Sequence, residues 1–301
     1  MKEGLLLMAY GSPGSMSEVV PYLEGIYEGR PVPKYAVAEN SRKYSMVNGR
    51  SPSNQIIRKL FDAVRSALLT TGIQTYLGNK HWKPWLKDAV EDMKRDGIEH
   101  VIALPLFPFP SKNVEKSYMI PLEESVESAG NFADITFLNG FGENAMFTDM
   151  WVRLLKADSN WSRNGTLVLF TAHSLPLSQG EEHAYDESFR ASAAAIASEL
   201  GIRSYGYGYQ SRGKYGSRWL EPSVWSVLEN SHGFSRLLAV PVGFCYEHME
   251  ILYDLDTEFG SEVRKRGMEY MRTKMPDSGE DFVSLVCNQA IAASRAKEVN
   301  S

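Results

Sequence analysis

Short apolar runs at 4–10, 73–78, 100–107, 135–140, 166–171, 204–210 and 236–244 punctuate this chain, with amphipathic or polar sequence between them. Most are about one strand long. Several lack the polar alternation of a half-exposed sheet, which is how strands buried on both faces of a parallel sheet read. A weaker run at 268–274 is a further strand candidate. The intervening stretches have helical spacing. Residues 55–69 carry Ile56, Leu60, Val64 and Leu68 behind Ser51-Pro52-Ser53-Asn54, which is suitable cap chemistry. Residues 82–95 end at Asp96-Gly97, the Ala-rich 186–200 stops at Gly201, and a last helix is expected over 279–296. Strands alternating with helices predict βαβ units with right-handed crossovers.

The two halves echo each other. Ala9-Tyr10-Gly11-Ser12-Pro13 closes the first run, and Ala172-His173-Ser174-Leu175-Pro176 closes the fifth; Leu104-Pro105-Leu106 likewise matches Val240-Pro241-Val242. Two matches in the same order predict an α/β protein of two doubly wound, Rossmann-like domains, each with a parallel sheet flanked by helices, facing one another across a cleft. Ligands of such sheets bind beyond the carboxyl ends of the strands. The expected domains are 1–143 and 144–278, with the helix at 279–296 packing back on the first.

Composition narrows the function. The chain has 301 residues, of which 43% are hydrophobic and 23% charged, an ordinary globular balance. A formal charge of −5 argues against nonspecific nucleic-acid binding, which needs a basic face. Cys245 and Cys287 are too few for a disulfide framework or for the four ligands of an ordinary iron–sulfur cluster. The apolar start leads straight into Gly11-Ser12-Pro13-Gly14, unlike a signal peptide, and no apolar stretch approaches the roughly 20 residues of a membrane span. A cytoplasmic protein with no integral membrane segment is expected.

His173 stands where a buried run ends, among small and apolar neighbours. Desolvation there predicts a neutral imidazole able to accept a proton or ligate a metal; the other reading is a histidine that ties down a loop. Glu250, Asp254 and Glu258 follow at i, i+4 and i+8 after the run at 236–244, so on an α-helix they form one ridge. Carboxylates in that register repel unless a cation or a proton sits among them. The ridge is either a solvated face or a path for hydrated divalent metal or protons. Weaker polar groups lie at other strand ends: Tyr10, Asn79-Lys80-His81 and Tyr209-Gln210-Ser211-Arg212. Gly11-Ser12-Pro13-Gly14 lacks the ending and spacing of a phosphate loop.

These residues resemble the ferrochelatases, specifically the compact bacterial form. The resemblance rests on Leu7-Met8-Ala9-Tyr10-Gly11-Ser12-Pro13, Gly49-Arg50-Ser51-Pro52, Gly78-Asn79-Lys80-His81, Ala172-His173-Ser174-Leu175-Pro176, Tyr209-Gln210-Ser211 and Pro241-Val242-Gly243-Phe244 followed by His248-Met249-Glu250-Ile251-Leu252-Tyr253-Asp254. It implies insertion of Fe²⁺ into a porphyrin, protoporphyrin IX or coproporphyrin III, with release of two protons in haem biosynthesis. It implies a catalytic pair, His173 and Glu250, which also touches the metal, and a proton or metal path along Asp254 and Glu258 on a widened π-type helix. His81 matches a peripheral metal contact. Tyr10 matches a tyrosine beside the porphyrin, and Arg30 an arginine at its entrance. Ser51, Lys80, Gln210 and Ser211 complete the expected substrate contacts. Iron is then a substrate, with no tightly bound cofactor and no iron–sulfur cluster expected, and the chain is expected to work as a monomer. The loop Phe107-Pro108-Phe109-Pro110-Ser111-Lys112-Asn113 departs from the family's polar loop. Two alternatives are a cobalt, nickel or sirohydrochlorin chelatase and a noncatalytic tetrapyrrole-binding protein.

Overall fold

The computed structural model describes residues 1–177, 183–213 and 218–299. In chain order the strands are β1 (Glu3–Ala9), β2 (Ile73–Asn79), β3 (His100–Pro105), β4 (Asp134–Phe137), β5 (Thr166–His173), β6 (Tyr205–Gln210), β7 (Arg236–Val240) and β8 (Glu269–Arg272). The α-helices are α1 (Val19–Tyr27), α2 (Lys34–Met46), α3 (Ser53–Ala67), α4 (Leu86–Arg95), α5 (Lys112–Ser128), α6 (Ala145–Asp158), α7 (His183–Leu200), α8 (Val224–Glu229), α9 (Gly260–Lys265) and α10 (Glu280–Val299). A π-helix spans Glu250–Phe259 and runs directly into α9.

The strands form two parallel sheets, ordered β2-β1-β3-β4 and β6-β5-β7-β8. The order reverses direction between β1 and β3 in one and between β5 and β7 in the other. Those are the switch points of doubly wound sheets, where the crossovers diverge and leave a crevice at the carboxyl ends. Leu5, Leu6, Leu7, Val101, Ile102, Ala103, Val168, Leu169, Phe170, Leu237 and Leu238 have no exposed surface, so the central strands are covered on both faces as their apolar sequence requires.

Unit 1 comprises Met1–Leu106, Val114–Gly140 and Asp277–Ser301. Unit 2 comprises Phe107–Asn113 and Phe141–Pro276. Helix α10 returns to unit 1, where it packs on α3 and β3 and where Ser294 donates to Glu3. The boundaries lie at 140 and 276, against the expected 143 and 278, and the short segment 107–113 is part of unit 2. The cause is aromatic. Phe107 stacks on Tyr185 at 5.6 Å, and the fully buried Phe109 contacts Phe147, Tyr185 and Phe189 at 5.7–6.0 Å between centroids. The Pro108 carbonyl also accepts from the N–H groups of Phe141 and Gly142. The proline-rich segment 107–113 is therefore a packing element.

Two local expectations need correction. Pro52, not a serine, is the N-cap residue of α3; Ser51 sits one residue earlier, where its hydroxyl accepts the N–H of Ser53 at 3.3 Å and lies 3.0 Å from the Ser53 hydroxyl. Helix α4 starts at Leu86, not 82; Trp82 is buried ahead of it, edge-on to Tyr22 and Trp85.

Candidate active site

Strand β5 ends on His173, beside Gln210 at the end of β6. After β7 the chain turns back through Pro241 and Gly243. A Cβ on Gly243 would stand 2.5 Å from Cα and Cβ of Ala172, so only glycine lets this segment lie against the end of β5. The N–H of Gly243 donates to the Thr171 carbonyl at 3.0 Å. The π-helix then opens on Glu250, with its carboxylate Oε1 3.3 Å from Nε2 of His173.

The other ring nitrogen fixes the tautomer. Nδ1 of His173 is 2.5 Å from the carbonyl oxygen of Ser174, which only accepts, so Nδ1 carries the hydrogen and Nε2 is the nitrogen that gains or loses a proton. The Tyr185 hydroxyl donates to the His173 carbonyl at 3.0 Å and steadies the strand end. Burial, on which the expectation of a neutral ring rests, is not the only influence on the imidazole. Burial does disfavour the cation, but the Glu250 charge and hydrogen bond, the Ser174 carbonyl and the Asp254 charge outweigh it and raise the pKa above 6.5. His248 goes the other way. Burial, the neighbouring His173 and Arg272 hold its pKa below 6.5 against Glu250 and Asp254. Its Nδ1 accepts the N–H of Glu250 at 3.2 Å, and its ring packs on Phe244.

The ridge grades outward: Glu250 and Asp254 are half-buried, Glu258 is exposed. The helix carrying it is wound wider than the α-helix that spacing alone implied, and the Thr257 hydroxyl donates to the carbonyl of Leu252, five residues back, at 2.7 Å. Gln210 is buried, with both ends of its amide engaged: it donates to the Glu250 carbonyl at 3.0 Å and accepts from the Thr171 hydroxyl at 2.8 Å. Ser211 follows in a left-handed conformation, φ 59°, with its Oγ buried and lacking a hydrogen-bond partner.

In unit 1, Tyr10 and His81 pair their rings at 4.5 Å, and the N–H groups of Lys80 and His81 bond the carbonyls of Ala9 and Tyr10. Gly11, at φ 85°, turns the chain tightly against Trp82. Burial and then Lys80 push the His81 pKa down to about 4, against the Gly25 backbone and Glu28. Lys80 donates to Ser117 at 2.9 Å, and burial lowers its pKa. Buried Ser51 joins this loop through Ser53, whose Oγ is 2.6 Å from that of Ser12. Arg30 is exposed in the loop after α1, its Nε donating to the Tyr27 carbonyl.

Sequence reasoning missed one constellation. Arg272, at the end of β8, donates through Nη2 to Glu247 at 2.8 Å and through Nε to Asp256 at 2.8 and 3.0 Å. The available signal was a single cation closing a short, otherwise half-apolar strand in front of an acidic segment.

The comparisons agree with this geometry. The family model described as Ferrochelatase matches residues 2–293. A ferrochelatase of Thermoplasma volcanium is 38% identical over 287 residues, 95% of this chain and 91% of the relative. A coproporphyrin III ferrochelatase of Halalkalibacterium halodurans is 30% identical, covering 94% of each. Among solved structures, SirB from Bacillus subtilis with Fe³⁺ superposes with a TM-score of 0.60 at 14% identity, covering 99% of this chain and 98% of that one, a likeness of fold. With the family model spanning nearly the whole chain and relatives this similar along their full length, the chain belongs to the ferrochelatase family.

Proposed function

We propose that this chain inserts Fe²⁺ into a porphyrin and releases two protons, as a step of haem synthesis. The observation that carries the reading is the pair formed by Nε2 of His173 and Oε1 of Glu250 at 3.3 Å, with the acidic ridge leading away from it, in a member of the ferrochelatase family.

Two of the four porphyrin nitrogens carry protons that leave as iron enters. The Ser174 carbonyl keeps Nε2 as the accepting nitrogen, and Glu250 makes it a stronger base and steadies the imidazolium. Glu250 then passes the proton to Asp254 and Glu258, which end in solvent. Nitrogen and oxygen donors of moderate strength suit ferrous iron in transit, because a tight thiolate site would retain it. His173 and Glu250 therefore touch the metal as well as the proton, and the iron is substrate; the reading needs no resident cofactor. Tyr10 and His81 belong to the same reading as porphyrin and peripheral-metal contacts, and Arg30, Ser51, Lys80, Gln210 and Ser211 as groups around the macrocycle edge. Among the described residues no helix is long and apolar enough to cross a membrane, and both cysteines are free. Free thiols are in keeping with a reducing compartment.

The test is His173→Ala, with insertion followed by the visible spectrum under anaerobic conditions and porphyrin affinity measured separately. The expected result is insertion slowed by about 10²–10⁴-fold with binding retained. Insertion at the wild-type rate overturns the assignment. Running coproporphyrin III and protoporphyrin IX side by side identifies the preferred macrocycle.

A further inference from the structure

We infer that Arg272 is a positioning residue for iron insertion: by bridging Glu247 and Asp256 its guanidinium holds the carboxylate ridge in register with His173. This rests on the proposed function, and it adds a residue outside the ridge itself.

The guanidinium is committed at each of its nitrogens. Nη2 donates to Glu247 at 2.8 Å, Nε to both oxygens of Asp256, and Nη1 to the Thr273 carbonyl at 2.9 Å. The side chain is 14% exposed, against 19% for Glu247 and 28% for Asp256, so these are partly desolvated charge pairs and not surface contacts. Their places in the chain matter more than their strength. Glu247 immediately precedes His248, and Asp256 sits between Asp254 and Glu258 on the π-helix. One rigid planar group thus grips the segment on both sides of Glu250 and Asp254. The fork geometry suits this task, since an ammonium is a point charge that does not reproduce two differently directed bonds.

The neighbouring contacts point the same way. The Tyr270 hydroxyl donates to Asp256 at 2.9 Å, and its ring meets Phe259 edge-on at 6.3 Å. A Cβ on Gly260 would come within 2.9 Å of that ring. Residues of β8 therefore hold the last turns of the π-helix at Asp256 and Phe259, and the segment ahead of it at Glu247. A π-helix is a rare and poorly packed winding, and its local hydrogen bonds alone do not select it over the α form. These contacts fix where Asp256 sits, and with it the carboxylates at 254 and 258 on either side of it.

Wild-type insertion of Fe²⁺ is measured first, and its absence counts against the proposed function and not against this inference. Arg272→Gln, Arg272→Lys and Glu247→Gln are then compared for kcat, for KM toward porphyrin and for thermal midpoint. The expected result for Arg272→Gln is a kcat lower by about 10–100-fold, the range of outer-shell partners, with KM within about threefold. Arg272→Lys restores only part of kcat. Glu247→Gln, which leaves the Asp256 pair in place, lowers kcat less, and adding it to Arg272→Gln produces no further loss. Wild-type kcat in Arg272→Gln overturns the inference. So do full rescue by lysine, additive losses in the double variant, or a fall in kcat matched by equal losses of porphyrin binding. If Arg272→Gln does not fold, Glu247→Gln alone decides: unchanged kcat overturns the inference and a selective loss of kcat supports it.

Discussion

The side-chain amide of Gln210 reaches from the end of β6 to the backbone carbonyl of Glu250 at 3.0 Å, while its oxygen accepts the hydroxyl of fully buried Thr171. Through this residue, strands β5 and β6 hold the first turn of the π-helix. Gln210→Leu leaves a buried hydroxyl and a carbonyl without partners. The expected cost is about 1–3 kcal/mol of stability, read from urea unfolding, together with slower insertion, because Glu250 loses its tether.

Glu250→Gln tests the electrostatics. In the wild type the His173 pKa lies above 6.5, so insertion should rise with pH along a limb centred above that value. The variant removes the largest upward influence, and the limb should move to lower pH as its height falls. Stability has the opposite sense. A raised folded-state pKa contributes stability fully below 6.5 and loses it as pH rises through the folded value. The wild-type advantage over Glu250→Gln should therefore be greatest in mild acid and shrink toward alkaline pH. A pH–rate profile and urea midpoints across the range check both signs.

His81 has the reverse linkage. Its folded pKa is pushed down to about 4, so the folded chain holds it neutral while the unfolded chain takes up a proton near 6.5. That contribution is present above 6.5 and is lost as pH falls from 6.5 toward 4. The thermal midpoint of His81→Phe should fall less between neutral and acid pH than that of the wild type. Parallel decline of the two proteins would show that His81 does not govern acid sensitivity.

Phe109 fills the centre of an aromatic cluster that includes Tyr185, whose hydroxyl holds the carbonyl of His173. Truncation to alanine opens a cavity of the kind that costs about 3–5 kcal/mol. The expected variant is less stable by that order in chemical denaturation, and Phe109→Leu recovers much of the loss.

The strands were legible because a strand covered on both faces has to be apolar throughout, and the repeated order of strand-end residues exposed the pairing of the halves. Helix α2 was not legible, since it buries only Ala36 and Tyr44, and α5 is interrupted by Pro121. At the site, the spacing of Glu250, Asp254 and Glu258 revealed the ridge but not its π winding. His173 was found from its place after a buried strand. Its raised pKa was not, because the decisive neighbour, Glu250, is distant in sequence. The bonds of Gln210 to Thr171 and Glu250 were not legible for the same reason, since neither partner is near it in sequence. Arg272 was invisible because its partners are 16 and 25 residues away.

The return of α10 to unit 1 has a consequence for biogenesis. Unit 1 is covered by a helix whose 20 residues are translated only after all of unit 2. On the ribosome, the surface of α3 and β3 that α10 covers stays open while unit 2 emerges and folds. Unit 1 therefore completes its packing only when α10 has been made.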